Sequence, residues 1–179
     1  MPSEQRIEIP LSKLKLVLML MGALAFVAIG FWFVLAPPDI DSSFWRNPAR
    51  IAFAGYASII FFGLCGVVIV RKLFDRKPGL IIDSKGVIDN SSGLSAGYIL
   101  WTDVENISVV EIQKQRLLML EVKNPQDYIN RQGNLLKRKG MEFNDKMFGT
   151  PLSITANGLK ISFEELSALV KQKFLESRI

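Results

Sequence analysis

The chain has 179 residues, 49% of them hydrophobic, with a formal net charge of +5, one cysteine and no histidine. No disulfide can form within it, and Ser-His-Asp catalysis, Cys-His catalysis, histidine-ligated zinc and imidazole proton shuttling near neutral pH are excluded. Residues 1–77 hold nine lysines and arginines against five acids, and residues 78–179 hold thirteen against twelve. The basic excess therefore belongs to the N-terminal part, and no clustered cationic footprint marks the remainder for nucleic acid.

Residues 1–15 read as a short polar leader with Arg6, Lys13 and Lys15 against Glu4 and Glu8. Residues 16–35 and 51–70 are two runs of 20 residues without a charged side chain. At about 1.5 Å per residue each spans the roughly 30 Å hydrocarbon core of a bilayer, where a helix satisfies its own backbone. The first run is longer than the apolar region of a secretory signal, which predicts that it is retained. Gly22, Gly30, Gly55, Gly63 and Gly66 lie within these runs. Small residues let two helices approach in lipid, which predicts a packed hairpin, with a homo-oligomer through one small-residue face as the alternative. The link at residues 36–50 is too short for a domain, and Trp32 and Trp45 fit an interfacial aromatic belt. Seven cations (Arg6, Lys13, Lys15, Arg71, Lys72, Arg76 and Lys77) flank one side of the hairpin, against Arg46 and Arg50 on the other. The bias predicts a multi-pass protein of the cell (inner) membrane with both termini cytoplasmic and the link external.

Residues 78–179 are sufficient for one small domain. Strands are predicted at residues 80–82, 87–89, 98–101, 106–112, 117–122, 151–155 and 159–161, from β-branched and bulky apolar residues separated by turn chemistry. Asn157-Gly158 is a hairpin-turn signal before the last of them. Residues 128–148 have a helical tendency that Gly133 and Gly140 weaken. Ser162-Phe163-Glu164-Glu165 is a capping box, and the helix it starts runs to about Glu176 with Leu166, Leu169, Val170 and Phe174 on one stripe.

The segment Ile99-x-Trp101-x-Asp103-Val104-x-x-Ile107, within residues 80–112, resembles the bacterial membrane-anchored pleckstrin-homology-like (PH-like) proteins. These place such a domain after a two-helix hairpin. The likeness extends through Asn124-Pro125, Gly149-Thr150-Pro151 and Ser162 to Leu166, and it is nearest to an uncharacterised branch of that group. It implies an α+β domain in which a bent antiparallel sheet of about seven strands is closed by the C-terminal helix. Inositol-phosphate binders of this class cluster cations at the first hairpin, where this chain has only Lys85 beside Asp83 and Asp89. Trp101 reads as a core residue.

Asp103 and Glu105 read as solvated turn residues, and no phosphate loop or metal-ligand cluster is present in the sequence. No catalytic, cofactor or metal site is expected. The basic residues Arg131, Lys137, Arg138, Lys139 and Lys146, interleaved with Tyr128, Leu135, Leu136, Phe143, Met147 and Phe148, are the candidate contact with anionic lipid headgroups. The leading expectation is a non-enzymatic membrane protein presenting an interaction module to an unknown protein partner. A lipid or small-ligand sensor is second and an enzyme last.

Overall fold

The computed structural model describes residues 6–38, 47–92 and 96–178. It divides into two compact units, Lys13–Asp75 on the one hand and Met1–Ser12 with Arg76–Ile179 on the other. Most of the expected external link, Trp45 included, lies outside the described residues.

The first unit is a pair of helices, α1 (Lys13–Leu35) and α2 (Pro48–Phe74), both long and apolar enough to cross a membrane. Each exceeds its apolar run because the flanking residues continue the helix. Asn47 caps α2 by accepting from the Ala49 amide at 2.9 Å, and Pro48 stands at the first turn, where it sacrifices no intrahelical bond. The small residues separate into two groups. A Cβ on Gly30 would lie 2.9 Å from the Gly55 carbonyl oxygen, and one on Gly55 would lie 2.8 Å from that of Gly30, so the backbones touch there. Phe26 and Phe62 stack at 4.3 Å, and the Ser58 hydroxyl donates to the Phe26 carbonyl at 2.9 Å. Gly22 and Gly63 have nothing within 4 Å. The close backbone approach accounts for Gly30 and Gly55, and a Cβ on Gly66 would meet the Leu20 side chain at an ordinary 3.8 Å.

Among the described residues, the second unit contains seven strands in two sheets. One has the order β1 (Ile7–Ile9), β2 (Leu80–Ile82), β3 (Gly86–Asp89) and β4 (Gly97–Leu100); the other has β5 (Val104–Ile112), β6 (Gln115–Val122) and β7 (Leu152–Ile154). All pairings are antiparallel. The strands are thus divided four and three rather than forming one continuous sheet. Helices α3 (Pro125–Asn130) and α4 (Leu135–Phe148) separate β6 from β7, and α5 (Phe163–Glu176) follows. Leu80, Ile82 and Ile99 from one sheet, Leu118, Leu120 and Ile154 from the other, and Leu166 and Val170 from α5 share one apolar core. The two sheets and α5 therefore bury their apolar faces together. Ser162 and Glu165 form the expected capping box.

Three expectations change. The leader is not a separate polar arm, because Ile7–Ile9 pairs with Leu80–Ile82 and Ile9 is buried. Residues 159–161 make only an isolated antiparallel bridge, Leu11 to Leu159, whose two bonds run from the Ser12 amide to the Gly158 carbonyl and from the Lys160 amide to the Pro10 carbonyl. The seventh strand thus comes from the leader. The segment at residues 128–148 is two helices: Arg131 ends α3, and Asn134 starts α4 by accepting from the Leu136 and Lys137 amides. Gly149, at φ 76°, ends α4 in the left-handed region that favours glycine.

Candidate interaction surfaces

Helix α4 rests on the sheet unit through Met141, which is fully buried, and Asn144, whose amide lies 3.4 Å from the Ser153 hydroxyl on β7. At 3.6 residues per turn, Leu135, Leu136, Lys139, Phe143, Lys146 and Met147 fall in an arc of about 120° opposite Met141. All six are exposed, Leu136 by 79% and Phe143 by 61%. The helix is amphipathic in the inverse sense, with apolar side chains turned outward between two lysines. Lys137 sits on the half-buried flank, and Arg138 pairs with Glu142 at 3.3 Å.

Arg131 has a different place. Its guanidinium lies 3.9 Å from the centroid of the Tyr128 ring and donates to the Ala96 and Tyr98 carbonyls at 3.1 and 2.6 Å. It ties α3 to β4 and is not part of the α4 face. Tyr128 is buried, correcting its expected place among surface apolar residues. Its hydroxyl donates to Asp103 at 2.7 Å, so Asp103 is an anchor rather than a merely solvated turn residue. Burial, then the Asp103 carboxylate, pushes the phenol from 10.0 up to about 12. A phenol is neutral when protonated, so the folded state binds this proton more tightly than the unfolded chain. The resulting stability is complete below pH 10 and is lost as pH rises to about 12. Tyr128→Phe should lower stability by about 1 kcal/mol at neutral pH. It should also flatten the alkaline limb, and denaturant melts of both forms across that range check this: identical limbs contradict the assignment.

At the first hairpin, Asp83 accepts from the Lys85 and Gly86 amides at 2.9 and 2.8 Å, and Asp89 accepts from Ser91. These carboxylates hold the turns. Trp101 is buried as expected and donates through Nε1 to the Asp83 carbonyl at 3.0 Å. A shallow cavity of about 430 Å³ opens at the end of α5, lined by Trp101, Thr102, Glu105, Lys123 and Arg178 among others. Its charges are mixed, and Arg178 already donates to the Val104 and Glu105 carbonyls at 3.1 Å each. Among the described residues no group of acids and cysteine capable of holding a metal occurs.

The strand edges differ sharply. Arg131 occupies carbonyls along β4, the segment at residues 158–160 continues beyond β1, and β7 has three residues beside α4. β5 is nine residues long, pairs only with β6, and over residues 106–112 has no further backbone partner among the described residues. Val109 and Ile112 are exposed along it, as are Glu105 and Glu111. The turn into β6 is a two-residue loop, with Gln113 and Lys114 at φ 48° and 66°, values that match the twist of a tight hairpin. No single segment of sequence marked β5 as an edge, because an edge is a property of the sheet order.

No family model matches the chain, and no match to it is found among curated proteins or solved structures.

Proposed function

We propose that this chain is a non-enzymatic, multi-pass protein of the cell membrane that holds a PH-like interaction module at the cytoplasmic face. The module takes an extended segment of a partner protein along the β5 edge. The observation that carries this reading is the edge of β5, open over residues 106–112. An unpaired edge offers a row of amides and carbonyls, so an added strand gains affinity from backbone bonds and selectivity from its alternate side chains. Val109 and Ile112 favour apolar residues in that segment, and Glu105 and Glu111 favour basic ones.

The membrane part of the reading has a topological support. β1 precedes the two helices and β2 follows them, yet they are neighbours in one sheet. A chain that pairs these strands crosses the bilayer an even number of times, leaving both flanks on one side. The seven-to-two cation bias favours the cytoplasm as that side. The PH-like part of the reading rests on the sequence resemblance. A second reading, a small-ligand sensor, draws on the cavity at the end of α5.

Panning the full chain in detergent or nanodiscs against random displayed peptides tests the β5 reading. Selected peptides should slow hydrogen exchange of alternate amides in residues 106–112. Protection confined to the cavity residues favours the sensor, and peptides that leave β5 unprotected overturn strand addition.

A further inference from the structure

We infer that the outer face of α4 docks on the anionic leaflet of the membrane that the hairpin spans, fixing the orientation of the sheet domain against the bilayer. The docking surface is Leu135, Leu136, Phe143 and Met147 flanked by Lys139 and Lys146. This inference rests on the spanning reading but not on strand addition at β5.

The helix α4 is unusual for a surface helix. A helix on a water-facing surface normally turns its apolar stripe to the core. Here one residue, Met141, is fully buried, while four large apolar side chains stand in the open. No carboxylate shares their arc: Glu142 lies on its flank, held by Arg138, and Asp145 is half-buried on the inner side. An apolar stripe bordered by lysines and free of acids matches a headgroup boundary, where side chains enter the acyl region and ammonium groups meet lipid phosphates. The chain also keeps the sheet domain tethered to α2, the helix that spans the membrane in the proposed reading. Five residues, 75–79, join α2 to β2, a span of no more than about 18 Å when extended. Short tethering gives a high effective concentration, so a weak helix–lipid contact is populated without a headgroup-specific pocket.

Arg131, Lys137 and Arg138 drop out of the expected lipid contact, the first because it bonds the Ala96 and Tyr98 carbonyls, the second because it faces the flank and the third because it pairs with Glu142. Lys139 and Lys146 remain. At the surface-potential contribution of a lysine, neutralising both should shift the docking equilibrium roughly thirty-fold toward the undocked domain.

The test uses the full chain in vesicles of phosphatidylcholine with a minority of phosphatidylglycerol. On a Cys65→Ala background, nitroxide labels are placed at Leu136→Cys or Phe143→Cys, with Leu24→Cys in α1 and Lys160→Cys on the exposed domain surface as references. Accessibility to oxygen and to a water-soluble nickel chelate is then measured. Docking is expected to give the two α4 labels an oxygen-to-nickel ratio near that of Leu24 and several-fold above that of Lys160. Lys139→Gln with Lys146→Gln, or omission of phosphatidylglycerol, should return them toward the Lys160 value. Labels at 136 and 143 as aqueous as Lys160, with Leu24 in lipid, overturn the docking and leave the span intact. Labels shielded from both reagents also overturn it, since a protein then covers the face. An aqueous Leu24 overturns the span and the docking together.

Discussion

Leu166→Asp is expected to unfold the sheet domain while leaving the two helices in the membrane. Leu166 is fully buried where α5 closes the core between the two sheets. The substitution removes a large apolar side chain, a loss of about 2–5 kcal/mol, and places a carboxylate in an apolar site at a further cost of several kcal/mol. A domain of this size has about 5–15 kcal/mol in total, so the folded state does not survive. The capping box is untouched, because Ser162 and Glu165 lie on the exposed end of the helix. Limited proteolysis of the reconstituted chain should therefore digest the variant from residue 76 onward while the hairpin resists. Leu169→Asp, one turn along on a half-buried position, should be milder. Equal protease resistance of Leu166→Asp and the parent chain contradicts the assignment of α5 as the closing element.

The second large effect concerns the leader. A fragment of residues 76–178 lacks β1, which exposes the β2 edge and the apolar surface that Ile7, Ile9 and Leu11 cover. Burying an aliphatic side chain is worth about 1.5–3 kcal/mol, so two or three of them amount to a large part of the domain's stability. Joining residues 6–12 to the fragment through a Gly/Ser linker in place of the hairpin should raise the melting temperature by about 15 °C or more. Ile9→Asp in the joined form should abolish the gain. Equal melting of the fragment with and without the leader would mean that β1 is dispensable.

These two elements also mark what the sequence could and could not reveal. The helix α5 is legible because every signal lies within it: the Ser-x-x-Glu box, the stripe and the terminal lysine. The apolar helices are legible from composition alone, and five of the six strands that follow the hairpin overlap the β-branched runs that predict them, while the sixth, expected at residues 151–155, shortens to Leu152–Ile154. β1 is not legible, since Ile-Glu-Ile is too short for a period and its partner lies some seventy residues on, beyond both helices. The same limit hid the role of Tyr128. Its contact with Asp103 joins α3 to the turn before β5, and nothing local distinguishes a buried tyrosine from an interfacial one. For α4 the sequence exposed the mixture of apolar and basic residues but not the direction in which it faces. Met141 anchors one side, and that choice moves Lys139 and Lys146 outward while Lys137 turns to the flank.

The proposed arrangement places the sheet domain, leader strand included, at the cytoplasmic face of a membrane crossed by the two apolar helices. Cysteine labelling tests it most directly. On the Cys65→Ala background, single cysteines at Ser42, in the link, and at Ser177, exposed at the end of α5, are treated in intact cells with a membrane-impermeant maleimide. The expected result is reaction at Ser42→Cys and none at Ser177→Cys until the cells are permeabilised. Labelling of Ser177→Cys in intact cells, or protection of Ser42→Cys with Ser177→Cys reactive, contradicts the account.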